Sequence, residues 1–137
     1  MAVEVEVVYQ GELVCKAVHG PSKALMLTEA PADNGGKGEQ FSPTDLVGTA
    51  LGSCVLTIMG LVAKRGGLDI SGARAKVVKE MASAPLRRIA HLACTVTMPA
   101  RGFTEEQKQK LVRGAELCPV KQSLHPDVKV EIEYVWS

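Results

Sequence analysis

The sequence predicts an α+β fold with the element order βββ-α-ββ-αα-β. Three observations predict it. Apolar and charged residues alternate near both ends of the chain, the pattern of half-buried strands. A stretch from Leu46 to Ala63 carries no charge and follows a helix-start signal at Ser42-Pro43-Thr44-Asp45. A second helix start, Thr104-Glu105-Glu106-Gln107, stands late in the chain between two strand-like runs.

Composition fits that class. The chain has 137 residues, 46% hydrophobic and 23% charged, which suits one soluble globular domain over 1–137. Sixteen basic residues against fifteen acidic ones leave a net charge of +1. A nucleic-acid binder shows a basic excess, so no nucleic-acid partner is expected. Glu4 and Glu6 stand where a secretory signal needs a basic and then an apolar stretch. The expectation is a cytoplasmic protein whose thiols are reduced at rest.

The elements follow in order. Val3, Val5, Val7 and Tyr9 alternate with Glu4 and Glu6 in a half-buried first strand, and Gln10-Gly11 signals a turn. Residues 12–18 make a second strand, with Leu13, Cys15 and Ala17 on one face, and residues 24–28 a third. Residues 30–41, with Pro31, Asn34, Gly35, Gly36 and Gly38, form a long mobile loop. It lacks the spacing of a phosphate-binding loop.

The central helix is the most specific prediction. Ser42 suits its N-cap, Pro43 its first turn and Asp45 the positive helix end; Gly66-Gly67 stops it after Arg65. It spans roughly 34 Å at the usual rise. Its uncharged stretch reaches membrane-spanning length, but Gly48, Gly52, Gly60, Thr49, Ser53 and Thr57 make it too weakly apolar. No membrane is expected, and the helix is read as a long buried core element. A three-stranded sheet cannot wrap it, so the rest of the chain or a second subunit must cover it. The three glycines, at intervals of four and eight residues, let another backbone approach closely.

Residues 68–81 predict a strand with basic exposed positions at Arg74, Lys76 and Lys79. Ala84-Pro85-Leu86 turns the chain into residues 88–98, where Ala90, Leu92, Cys94, Val96 and Met98 share a face. A helix runs from Glu105 to about Leu117, and Pro119 starts a short one after Cys118. Val128, Val130, Ile132, Tyr134 and Trp136 alternate with Lys129, Glu131 and Glu133 in the last strand.

Four cysteines carry the candidate chemistry. None forms a C-x-x-C pair, and only three histidines accompany them, so no metal is expected. Cys15 and Cys94 read as buried apolar residues on strand faces. Cys54 lies mid-helix beside Gly52 and Ser53, which leave room for a small molecule. Cys118 precedes Pro119 at a helix start, where unpaired N–H groups and nearby Lys121 favour a thiolate. Two such thiols suggest redox chemistry.

Phe41-Ser42-Pro43-Thr44-Asp45-Leu46, the uncharged run to Cys54, Asp69-Ile70-Ser71-Gly72 and Glu116-Leu117-Cys118-Pro119-Val120 resemble the OsmC/Ohr family of osmotically inducible and organic-hydroperoxide-resistance proteins. The resemblance covers nearly the whole chain as a single OsmC-like domain. It implies an intertwined homodimer in which each central helix packs against its partner. It also implies a thiol-dependent peroxidase that reduces organic hydroperoxides, with Cys54 peroxidatic and Cys118 resolving. An external dithiol would restore both thiols, and no cofactor is needed.

The best-known peroxidases of the family place Glu after the proline and Arg in the N-terminal hairpin. Here Thr44 follows Pro43, with Asp45 one place on, and no Arg precedes Arg65. Asp45 and His19 are the candidate supporting residues, with Lys16 and Lys23 the other cations of that region. In this the chain looks more like a divergent OsmC-like branch than a typical organic-hydroperoxide reductase. A different class of function, a weakly redox-active or non-enzymatic small-molecule binding module on the same scaffold, would use Cys54 as part of an apolar pocket lining.

Overall fold

The computed structural model describes all residues, 1–137, and is an α+β protein with the expected element order. It divides into two compact units, residues 1–47 and residues 48–137.

The first unit is an antiparallel sheet of β1 (Val5–Gly11), β2 (Val14–His19) and β3 (Leu25–Glu29), with β2 central. The first turn lies later than Gln10-Gly11. Glu12 and Leu13 make it, both with positive φ (56° and 65°), so β2 starts only at Val14. β1 is not half-buried within a single chain. Val5, Val7 and Tyr9 on one face are 54%, 58% and 62% exposed, and Val8 on the other is 50% exposed. Alternation marks the face meant for burial, but this chain alone supplies nothing that covers it.

The connection from β3 to the central helix holds a short 3-10 turn, Ala32–Asn34. Glu29 is buried, and its carboxylate accepts the Lys37 and Glu39 N–H groups (3.3 and 3.0 Å). That satisfies the carboxylate and ties the loop by its middle.

Helix α1 (Pro43–Arg65) starts and stops where the sequence indicates. Ser42 Oγ accepts the Asp45 N–H (3.0 Å) and the Asp45 carboxylate accepts the Ser42 N–H (2.9 Å), a reciprocal cap.

The second unit carries the main core. β4 (Arg74–Ala82) pairs antiparallel with β5 (Arg88–Thr97), and β5 pairs parallel with β6 (Lys129–Val135). Helices α2 (Glu105–Glu116) and α3 (Pro119–Ser123) make the crossover that a parallel pair requires. Thr104 and Gln107 close the expected capping box of α2. β4 begins at Arg74 rather than near Leu68, because the Asp69 carboxylate turns the chain by accepting the Ser71 N–H and hydroxyl (2.8 and 2.6 Å). Lys79 falls on the half-buried face of β4, not among its exposed positions.

Leu92, Cys94, Val96 and Met98 present a buried face to the core, as alternation predicts. Leu51, Val55, Met59 and Ala63 on α1 are buried too. Gly48 and Gly52 face Val77, and a Cβ at Gly52 would stand 3.1 Å from the Val77 side chain. These glycines bring the helix close to its own sheet; Gly60 has nothing within 4 Å. The fourth face of α1 stays exposed along Thr49, Ser53, Thr57 and Leu61, so one chain covers only part of its central helix.

Candidate functional site

The second unit brings Cys54 and Cys118 together. Cys54 sits midway along α1 and is half-buried; Cys118 caps the start of α3 and is fully buried. Their thiols lie close enough to influence each other's ionisation. Both are free thiols, as are Cys15 on β2 and Cys94 on β5.

The turn that holds Cys118 follows from sequence. α2 ends at Glu116, and the Leu117 and Cys118 N–H groups reach back to the Gly114 and Ala115 carbonyls (both 3.1 Å). Pro119 then opens α3, and the Cys118 carbonyl accepts the Gln122 N–H (3.1 Å). The Cys118 Sγ accepts the Lys121 N–H at 3.3 Å.

The charge balance at Cys118 is opposite to the one its helix-start position suggests. Burial pushes its pKa up, and neighbouring Cys54 pushes the same way. The Lys121 and Val120 N–H groups oppose this but do not prevail. α3 has only five residues, so few aligned peptides stand behind its N-terminus. The Lys121 ammonium does not face the thiol either; it lies 2.6 Å from Glu116 Oε1. Cys118 therefore holds its proton more firmly than an ordinary thiol.

Sequence reasoning missed Glu116 as a member of this cluster. Its second oxygen accepts the Tyr134 hydroxyl at 2.6 Å, which joins the end of α2 to β6. Burial would push the Glu116 carboxyl up, but the hydrogen bonds of Lys121 and Tyr134 and the Lys121 charge bring it below its usual value. Tyr134 is correspondingly raised, through burial first and then its bond to Glu116. The signal was available: a tyrosine on the inward face of a strand must find a partner for its hydroxyl. Cys94 also lies close enough to Cys118 for their charges to interact, and burial raises its pKa.

The remaining candidates sit in the first unit. Asp45 is engaged in the N-cap of α1, two and a half turns before Cys54 on the same helix. His19 ends β2, with its Nδ1 2.6 Å from Ser22 Oγ in the β2–β3 turn.

An α+β chain with a long capped helix carrying one cysteine, and a helix-start cysteine beside it, has the fold of an OsmC-like protein. The family profile described as OsmC-like protein matches residues 36–133, and the chain belongs to that family. It is 39% identical to a Psychrobacter arcticus protein named for osmotic-stress induction and the detoxification response, with 98% of this chain and 96% of that one covered and a TM-score of 0.91. An organic hydroperoxide resistance protein of Legionella pneumophila shares 15% identity (98% and 97% covered, TM-score 0.77). The organic hydroperoxide resistance protein OhrB of Bacillus subtilis shares 18% (98% of each chain covered, TM-score 0.68), so both show likeness of fold. No curated protein sequence matches significantly.

Proposed function

We propose that the protein is a thiol-dependent peroxidase that reduces organic hydroperoxides. The observation that carries this reading is the asymmetric pair: a half-buried Cys54 beside a fully buried Cys118 whose pKa burial raises. A thiol that a substrate can reach beside a covered thiol held in its protonated form is the arrangement that a peroxidatic and a resolving cysteine require.

The Cys54 thiolate attacks the distal oxygen of the hydroperoxide. The O–O bond breaks, the alkoxide takes up a proton and leaves as alcohol, and Cys54 becomes a sulfenic acid. Cys118 sulfur then attacks the Cys54 sulfur, giving a disulfide and water. A small external dithiol reduces the disulfide by exchange, which returns both thiols and oxidises the dithiol. Asp45 supports the reaction through the cap of the helix that carries Cys54. With no Arg before Arg65, His19, Lys16 and Lys23 are the candidates for the supporting role that the hairpin Arg has in the best-known peroxidases of the family.

The working form is a homodimer in a reducing, cytoplasmic setting. The exposed apolar residues of β1 and β3, among them Val7, Tyr9 and Leu25, and the uncharged outer face of α1 support a second copy as their cover. The test is titration of the reduced protein with an organic hydroperoxide. One equivalent should consume both Cys54 and Cys118 and yield one alcohol. Consumption of hydroperoxide with Cys54 left as free thiol would overturn the reading.

A further inference from the structure

We propose that Glu116 is the positioning residue of the thiol pair: by accepting Lys121 Nζ and Tyr134 Oη at once, it fixes the Cys118 turn to β6 and so holds Cys118 opposite Cys54. The inference rests on the reading of Cys54 and Cys118 as a redox pair.

Three contacts converge on this one residue. Glu116 Oε1 lies 2.6 Å from Lys121 Nζ, Glu116 Oε2 accepts the Tyr134 hydroxyl at 2.6 Å, and the Glu116 carbonyl accepts Gln122 Nε2 at 3.2 Å. Cys118 lies between Glu116 and Lys121 in the chain, so the Glu116–Lys121 pair closes a loop around it. The backbone N–H of Lys121, the residue tied by its side chain, is the donor to Cys118 Sγ. Tyr134 stands on the strand that pairs with β5 and anchors the loop to the sheet (Val96↔Tyr134). A five-residue helix preceded by the two-residue linker Leu117-Cys118 has little stability of its own. Without the clamp, the segment from Leu117 to Ser123 keeps only short-range bonds, and Cys118 loses its fixed approach to Cys54. The clamp also determines what Lys121 does: its ammonium neutralises Glu116 rather than drawing a proton from Cys118.

The quantity that reports positioning is the equilibrium between the Cys54–Cys118 dithiol plus an oxidised small dithiol, and the protein disulfide plus the reduced dithiol. It measures the effective concentration of one thiol at the other. It needs no peroxide, so it is independent of whether the protein is a peroxidase. Glu116→Gln keeps an acceptor for Tyr134 but loses the ion pair; Glu116→Ala loses both. The equilibrium should shift toward the dithiol by about 3-fold or more in Glu116→Gln and about 10-fold or more in Glu116→Ala. Lys121→Met should shift it alone and add nothing on top of Glu116→Ala. A purely stabilising Glu116 would lower the melting temperature and leave this equilibrium where it was. Folded Glu116→Gln with an unchanged equilibrium overturns the proposal, also if Glu116→Ala fails to fold. Wild type that forms no disulfide at any dithiol ratio overturns it together with the pairing of the two cysteines. A normal disulfide equilibrium without hydroperoxide consumption overturns only the peroxidase reading.

Discussion

Cys118 lies beside Cys54, a fully buried sulfur next to a half-buried one. Burial, with Cys54 adding to it, raises the pKa of Cys118. Charge is harder to place at the fully buried sulfur, and two backbone N–H groups at the start of α3 do not reverse that.

Alkylation should follow this asymmetry. Under a limiting thiol reagent near neutral pH, Cys54 should be modified on the order of 10-fold or more faster than Cys118, because Cys118 is both covered and protonated. Mass spectrometry of timed samples reads this directly, and equal rates would contradict the assigned asymmetry.

Stability should fall in alkali. Cys94 and Cys118 both have raised pKa values in the folded chain, through burial first. Protons retained by the native state but lost by the unfolded chain stabilise the fold below the unfolded thiol pKa of about 8.5 and cease to do so as pH climbs through the folded values. Chemical denaturation of the reduced protein should show its midpoint dropping above about pH 8.5. Cys94→Ala should lie lower throughout and drop less steeply. Glu116 acts with the opposite sign: its lowered pKa stabilises the fold above about pH 4.3, and that contribution disappears on acidification.

Oxidation should join Cys54 to Cys118 within one chain and leave Cys15 and Cys94 free. A bridge that closes a loop of this length restricts the unfolded chain and should raise stability by up to about 4 kcal/mol, read from denaturation with and without reductant. Peptide mapping that finds Cys94 in the disulfide would reassign the resolving thiol.

Gly114 is a packing constraint beside the site. A Cβ there would meet a Val62 methyl at 2.8 Å and an Ile58 methyl at 3.4 Å. Gly114→Val should overpack the α1–α2 contact by roughly 1–3 kcal/mol, more than the few tenths regained from helix propensity. A lower melting temperature with the element content intact is the expected outcome.

Much of this was legible in the sequence because the signals are local. Ser42, Pro43 and Gly66 bound α1, Thr104 and Gln107 start α2, and the alternation of β5 names its buried face. What escaped depends on groups distant in sequence or absent from the chain. β1 alternates for a face that one chain leaves open. The destination of Lys121 is decided by Glu116 and Tyr134, one five residues back and the other on the last strand. The nearness of Cys54 to Cys118 is a product of tertiary packing that no spacing rule supplies. Cys118 looked like a thiolate because a helix start is easily read and burial is not.

The most direct test compares organic-hydroperoxide consumption by wild type and Cys54→Ser, with a dithiol reductant, from about pH 6 to pH 9. Wild type should turn over, and faster toward the alkaline end, because the thiolate is the attacking form. Cys54→Ser should lose activity by on the order of 100-fold or more, since a hydroxyl stays protonated and attacks poorly. With the reductant omitted, Cys118→Ser should complete a single turnover and leave a trappable sulfenic acid at Cys54. Equal, slow consumption by wild type and Cys54→Ser across that range would contradict the account and leave Cys54 as part of a binding-pocket wall.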